Sequence, residues 1–279
     1  MPSAKNVVAI TGASSGIGAE FARRLAPEHD LILIARRLDR LEEMQRTLSA
    51  AHGSRVEVVQ ADLAQDGDLE RVATLIQEEM RLVLLVNNAG FGTKGRFWEA
   101  SLEGQEAMHK LHVMATMRLS RAALENLVPR DTGGIINVSS VAAFIRRAGT
   151  ASYGATKTWI AAFTEGLYVE LRSSRSQVTV QALCPGFTYT EFHDVVGIDR
   201  EHAAPKAFWM SAEEVVNASL EGLRRRKLFV IPGWRYRLLV SVLTKLPSAT
   251  RIGLEVGLGM RGRSIPAQTE SGRIGAPRE

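Results

Sequence analysis

Short apolar runs alternate with longer stretches in which apolar residues recur every three or four positions. The runs fall at residues 7–10, 31–35, 56–60, 82–86, 135–139, 178–183 and 228–231. Most are apolar almost without interruption, as expected of parallel strands covered on both faces. The stretches between them, 38–51 and 103–127 for example, have the helical period. Repeated strand–helix–strand alternation predicts an α/β Rossmann-type fold: a doubly wound parallel sheet with helices on both faces. No repeat, linker or interior low-complexity segment interrupts the pattern, so residues 1–232 read as one domain. Residues 233–260 read as an amphipathic helical extension, and 261–279, rich in Gly, Pro, Ser and Arg, as a loose basic tail.

Composition changes this picture little. Hydrophobic residues make up 45% of the 279 and charged residues 23%, ordinary values for a chain that buries a sizeable core. The lone cysteine, Cys184, excludes an internal disulfide and fits a reducing compartment. No apolar stretch approaches the ~18 residues of a membrane-spanning helix, and the run at 7–10 is too short for a signal-peptide core. A soluble, cytoplasmic protein is the expectation. Net charge is +5, yet from Glu221 onward there are twelve Lys/Arg against four Asp/Glu. The basic character therefore belongs to the C-terminal quarter, which argues against a nucleic-acid-binding core.

The first strand runs into Thr11-Gly12-Ala13-Ser14-Ser15-Gly16-Ile17-Gly18, and a helix begins there. Gly12 permits a tight turn, Gly16 lets a pyrophosphate approach the backbone, and Gly18 lets the helix pack closely on the sheet. The helix N-terminus offers free N–H groups and a partial positive charge, with Ser14 and Ser15 as further donors. The spacing is Gly-x3-Gly-x-Gly, not the commoner Gly-x-Gly-x2-Gly; its place at the first strand–helix junction gives it weight. A second strand that ends in an acid binds the ribose 2′-hydroxyl of NAD. Here it ends Ile34-Ala35-Arg36-Arg37, with no acid until Asp39. Two guanidiniums suit a 2′-phosphate, so the cofactor is read as NADP(H). Asp62 and Leu63 follow the third strand, where side chain and backbone meet an adenine edge. Asn87-Asn88-Ala89-Gly90 follows the fourth, its small residues leaving room for a cofactor over the backbone.

Ser139 and Ser140 follow the fifth strand; Tyr153 and Lys157 lie beyond, four residues apart in a helical stretch and so on one face. A free phenol with pKa ~10 is a poor base near neutrality. A neighbouring ammonium and a cationic nicotinamide ring favour its phenolate. Ser140 is placed to hydrogen-bond a substrate oxygen and polarise a carbonyl. The chemistry needs no metal.

The residues at 11–18 and 87–90, Ser140, Tyr153-x3-Lys157, Pro185-Gly186 and Thr190 together resemble the short-chain dehydrogenase/reductase family over roughly residues 5–232. The resemblance implies seven strands, a nicotinamide cofactor, and Pro185, Gly186, Thr188 and Thr190 beside its carboxamide. It places Arg36 where NADP-preferring members carry their arginine. One position departs: the family's asparagine in the helix after the fourth strand, part of a proton relay to the lysine, is His112 here. Imidazole keeps a hydrogen-bonding capacity and titrates near pH 6.5, so either the relay survives with altered pH dependence or water alone serves. The resemblance also implies a homodimer or homotetramer through the helices at 103–127 and 151–171.

On the substrate side, residues 189–211 contain Phe192, His193, Val195, Val196, Phe208, Trp209 and Met210. In the family this segment covers the substrate, and its apolar content suggests a hydrophobic substrate portion. Lys94, Arg96, Arg146 and Arg147 either meet an anionic handle or form a solvated rim. From Trp234 a helical pattern carries Leu238, Leu239, Val242, Leu243 and Leu246 on one side; packing is favoured over a membrane-surface role for 234–246. The expected partner is a small carbonyl or alcohol substrate, reduced or oxidised by hydride transfer with NADP(H). A non-catalytic dinucleotide-binding regulator and a membrane-associated lipid or sterol reductase are the alternatives.

Overall fold

A computed structural model describes residues 5–93, 95–192 and 204–261. Seven strands form one parallel sheet: β1 (Val7–Thr11), β2 (Asp30–Ala35), β3 (Val56–Gln60), β4 (Leu82–Asn87), β5 (Gly134–Val138), β6 (Thr179–Leu183) and β7 (Phe229–Val230). Their spatial order is β3-β2-β1-β4-β5-β6-β7, the doubly wound arrangement expected from the alternation. The order reverses between β1 and β4, which opens a crevice at their C-terminal ends.

Period-two alternation explains both faces of the core. On β1, Val8 and Ile10 point to one side, against Phe21 and Leu25 of α1 (Gly16–Leu25), Leu41 and Leu48 of α2 (Leu38–His52) and Val215 and Val216 further along the chain. Val7 and Ala9 point to the other. There they meet Leu69, Val72 and Ile76 of α3 (Asp66–Glu78) and the helices after β4 and β5. Every residue of β1, β2 and β5 is buried, which accounts for their largely apolar spelling.

The helical stretch after β4 is not one regular helix. It comprises α4 (Leu102–His109), a π-helical turn Lys110–Ala115 and α5 (Thr116–Leu127). The widened turn carries His112, and apolar periodicity has no power to show such a change of winding. After β5 come α6 (Ala151–Ser173), β6, and then α7 (Ala212–Arg224), which a capping box of Ser211 and Glu214 starts. Ser219 donates to Gln181 Oε1 (2.6 Å) and its carbonyl accepts from Gln181 Nε2 (3.1 Å), fixing α7 on β6.

Beyond β7, the helical extension is two helices, α8 (Trp234–Lys245) and α9 (Ser248–Arg261), parted at Pro247. The stripe expected to pack does so only in part. The residues α8 buries are Tyr236 and Val240, whereas Leu238 and Val242 are exposed. No helix among the described residues is long and apolar enough to cross a membrane.

Candidate active site

The glycine turn owes its shape to contacts that a side chain would forbid. Gly12 has φ 65°, and a Cβ there would lie 2.8 Å from Ala89 Cα; one on Gly18 would lie 2.4 Å from the Gly12 carbonyl oxygen. The neighbouring strand end closes this turn. Asn88 Nδ2 donates to the Thr11 and Gly12 carbonyls (2.9 and 3.2 Å), while Thr11 Oγ1 accepts from the N–H groups of Asn88 and Ala89. One step back, Asn87 Nδ2 reaches Asn137 on β5 (2.9 Å) and Ser120 on α5 (3.1 Å), tying the strands beneath the site. Ser15 makes no side-chain cap on α1, which leaves the helix's first N–H groups, at Gly16 and Ile17 on the cavity wall, as anion donors. The turn thus fits a pyrophosphate: glycines clear a path to the backbone, and unpaired donors wait there.

At the end of β2 the two arginines part company. Arg36 is exposed at the cavity edge, and no described residue pairs with its guanidinium. Arg37 is fully engaged. Its Nε and Nη2 donate to Ser14 Oγ (3.2 and 3.0 Å), Nη2 also to Ser15 Oγ (2.8 Å), and Nη1 pairs with Glu191 (2.8 Å). Arg40 pairs with the other oxygen of Glu191. Hydrogen bonds from Arg37 and then Arg40 hold Glu191 at about 2, far below an ordinary carboxylate. After β3, Asp62 uses one oxygen to accept from the Ala64 N–H, so part of its capacity shapes its own turn; Leu63 is buried beside it.

The candidate catalytic group assembles from two elements, the end of β5 and α6. Ser140 sits just beyond β5, its Oγ accepting from Ala142 N–H (3.1 Å) and donating to the Pro185 carbonyl (3.4 Å), near enough to Tyr153 to draw the phenol's pKa down. Tyr153 and Lys157 share one face of α6, with Lys157 Nζ 5.7 Å from the tyrosine ring centre. Nζ donates to the Val138 carbonyl (3.0 Å). Burial lowers Lys157 to about 8 and raises Tyr153 to about 12, Ser140 opposing the latter only in part. The sequence led us to expect a lowered phenol. Among the protein's own groups desolvation wins, because Lys157 is turned toward the Val138 carbonyl.

His112 lies behind this group rather than in the cavity wall. Its ring is buried, edge-on to Tyr153 at 6.0 Å between centroids. Thr156 Oγ1 donates to the Tyr153 carbonyl (2.8 Å), so it accepts from His112 Nδ1 (2.9 Å), which puts the ring proton there. Nε2 then carries a lone pair with no described partner and faces Gly90, where a Cβ would lie 2.6 Å away. Burial, with Lys157 adding to it, pushes His112 well below 6.5. The expectation that it titrates near 6.5 is thereby corrected: the ring stays neutral through the physiological range.

The loop after β6 closes the far side, and Tyr236 of α8 shapes it. Its ring packs so tightly on Gly186 that a Cβ there would lie 2.0 Å from the ring. Its hydroxyl accepts from Phe187 N–H (3.0 Å) and donates to the Phe208 carbonyl (2.8 Å). Thr188 is buried and bridges to Met210; Thr190 leans on Gly16. Phe192 lies 5.9 Å from Tyr153 between ring centroids. His193, Val195 and Val196, like Lys94 and residues 262–279, lie outside the described residues. Sequence reasoning passed over Tyr236 and Glu191. The first stands in an extension read only for its apolar stripe, the second directly after Thr190 with no motif of its own.

Most of these parts line one cavity of about 1010 Å³. It holds Gly12, Ser14, Ser15, Gly16, Ile17, Arg36, Arg37, Asp62 and Leu63 at one end. Asn88, Ala89, Gly90, Ser140, Tyr153 and Lys157 lie in the middle, with Pro185, Gly186, Thr188 and Thr190 opposite. Of the expected site residues, Gly18 and His112 stand outside its wall. Beyond Tyr153 the lining turns apolar, with Phe91, Leu111, Ile145, Phe208, Leu239 and Leu254. Among the charged rim residues, Arg96 lies over Trp98 and near Glu99 (3.9 Å), and the Arg146 N–H donates to Glu255 of α9 (2.8 Å). Arg147 lies over the Phe187 ring (5.8 Å).

A glycine turn at the switch point of such a sheet, facing a serine–tyrosine–lysine group, defines a nucleotide-binding oxidoreductase of the Rossmann class. Residues 6–201 match the family model of short chain dehydrogenases, and this chain belongs to that family. Among solved structures, it is similar to a short-chain dehydrogenase from Sphingobium yanoikuyae in complex with NADPH. The two are 36% identical over 95% of this chain and 98% of that one, with a TM-score of 0.76. It is also similar to a bulky-bulky ketone specific alcohol dehydrogenase from Comamonas testosteroni (29% identity, 95% and 96% covered, TM-score 0.73). A relative from Burkholderia phymatum in complex with NAD is 25% identical, with 90% and 95% covered and a TM-score of 0.76.

Proposed function

We propose that the chain is an NADP(H)-dependent oxidoreductase acting on a ketone or secondary alcohol with a bulky apolar portion. The observation that carries this reading is the meeting of Ser140, Tyr153 and Lys157 at the junction of a polar, glycine-lined groove and an apolar chamber. The nicotinamide ring, when bound, supplies or takes the hydride and in its oxidised form brings a positive charge. Every other task falls to the protein. Tyr153 gives its proton to the carbonyl oxygen in reduction and recovers it in oxidation. A phenol held near 12 keeps that proton at neutral pH, the form reduction requires. Ser140 orients the same oxygen, and Lys157 grips the ribose and biases the phenol. His112, neutral and with a lone pair that meets no partner among the described residues, is placed to continue a relay behind Tyr153. Asp62 and Leu63 bound the adenine, and Pro185, Gly186, Thr188 and Thr190 the carboxamide.

Arg36 supports the choice of NADP(H). Its guanidinium has no partner among the described residues, and β2 itself ends in arginines rather than in an acid. The bulky ketone is supported by the apolar chamber and by what the Comamonas relative acts on. The same reading has the protein working in the cytoplasm as a homodimer or homotetramer through α5 and α6, where Met117 and Val169 remain exposed. Calorimetry with NADPH and NADH, on the wild type and on Arg36→Ala, tests the cofactor. We expect NADPH to bind more tightly and to lose roughly tenfold or more in the variant, the worth of a charge-assisted phosphate contact. Equal affinities untouched by the substitution would end the NADP assignment. Turnover of bulky apolar ketones with the preferred cofactor tests the reaction.

A further inference from the structure

We infer that Glu191 is an internal rival of the cofactor's 2′-phosphate for Arg37 and Arg40, and so sets how strongly the site prefers NADP(H) over NAD(H). This inference rests on the NADP reading and adds a specificity residue to it.

The geometry is that of an anion already seated in a phosphate-like cradle. One carboxylate spans two guanidiniums from the start of α2, Arg37 through Nη1 at 2.8 Å and Arg40 through its own Nη1. The remaining donors of Arg37 hold Ser14 and Ser15, so its one free edge is the edge Glu191 covers. Glu191 is brought there by Thr190, which rests against Gly16 of the same turn. Arg37 and Glu191 line the cavity beside Arg36, at the end of β2 where the ribose 2′-position belongs, and Arg40 backs Glu191 from outside its wall.

Charge decides what displaces it. A phosphate monoester carries about −1.5 to −2 and three acceptor oxygens, so it outcompetes a single carboxylate for guanidiniums. A ribose hydroxyl carries no charge and does not. Carboxylate and phosphate cannot share one guanidinium edge without like-charge repulsion. Held at about 2, Glu191 stays ionised at every working pH; only a competing anion, not a proton, releases the pair. The phosphate therefore binds by exchange, with Arg36 as its first contact and Arg37 and Arg40 freed after it. NAD(H) would bind with the Glu191 bridge intact.

Glu191→Gln tests this, since it keeps the shape and removes the charge. NADPH, NADH, adenosine 2′,5′-bisphosphate and AMP are titrated by calorimetry against wild type and variant. We expect NADPH and the bisphosphate to tighten by roughly five- to tenfold, the range of a half-exposed ion pair doubled over two partners, with NADH and AMP unchanged. Glu191→Ser, which reaches neither arginine, should behave alike, and a thermal melt verifies that both variants fold. Weaker NADPH binding would mean that Glu191 orients Arg37 for phosphate, and would overturn the inference. So would an equal gain for all four ligands, the mark of simple obstruction, or no change at all. Failure of the underlying reading looks different: wild-type protein would then not distinguish NADPH from NADH, and Arg36→Ala would change nothing.

Discussion

The two ends of the cavity are built on different principles. At the phosphate turn, backbone approaches backbone so closely that particular atoms are obligatory. Asn88 spans two carbonyls of the turn, Thr11 accepts from two N–H groups, and Gly12 and Gly18 leave no room for a Cβ. At the far end, α8 and α9 offer the cavity Leu239, Leu243 and Leu254 while leaving Trp234, Leu238, Val242, Ile252 and Val256 exposed. Apolar area is all that this end requires, and many sequences supply it. The tight end fixes the chemistry; the loose end leaves the substrate open to change.

The sharpest cut between chemistry and binding is Tyr153→Phe. Removal of one hydroxyl takes away the proton that the proposed reaction gives to the substrate oxygen and leaves the ring, with its contacts to Phe192 and His112, in place. We expect kcat to fall by ~10²–10⁴, the usual worth of a positioned acid–base group, with NADPH affinity little changed. Stopped-flow turnover beside a binding titration measures both. A variant within tenfold of wild type would take Tyr153 out of the proton's path.

Lys157→Met asks what the tight end costs in stability. The folded pKa of about 8 lies below the ordinary 10.5. Below pH 8 both folded and unfolded chains are protonated, and the burial penalty is fully present. Between about 8 and 10.5 the unfolded chain binds more protons than the folded one, so stability rises with pH. Cys184, raised from 9.0 to about 12, acts the other way above pH 9, where the unfolded thiol ionises first. The difference between wild type and variant isolates the lysine. We expect Lys157→Met to be the more stable at pH 7, by at most about 3–4 kcal/mol at 1.36 kcal/mol per unit. The gap should narrow as pH approaches 10, while the variant has lost activity. Urea melts at pH 7 and 9.5 check this; a variant less stable at pH 7 would place Lys157 among the stabilising residues.

Much of the tight end was legible in the sequence because its demands are local. Strand ends fall within a residue or two of the expected positions, and β1 with its turn is spelled in consecutive letters. The loose end and the winding of the chain were less so. His112 lies on a π-helical turn, and an apolar period reads the same through a widened turn as through a regular helix. The stripe on α8 predicted a packed face, yet the buried residues are Tyr236 and Val240, since the helix meets the body along its edge at Gly186 and Phe208. Glu191 reaches partners 154 and 151 residues away in the chain, and no spacing rule announces such a pair.

Alanine placed at a glycine of each end gives the contrast its finest test, because the same added methyl should act with opposite sign. At Gly18 the new Cβ would meet the Gly12 carbonyl oxygen at 2.4 Å and Asn88 Nδ2 at 2.5 Å. Neither can retreat: the carbonyl belongs to the turn, and the amide is held by the Thr11 and Gly12 carbonyls. Strain of about 1–3 kcal/mol follows, together with weaker dinucleotide binding. At Gly253 in α9 nothing lies within 4 Å of the added atom, and its φ falls outside the left-handed range. There the methyl only narrows the unfolded ensemble and favours the helix, a gain of about 0.5–1 kcal/mol. Urea midpoints for Gly18→Ala and Gly253→Ala, with unchanged m-values, decide it. Opposite signs mean that the two ends differ in how much backbone they oblige. Two losses would show α9 packed more closely than the exposure of Ile252, Leu254 and Val256 suggests, and would move the substrate end into the constrained half of the molecule.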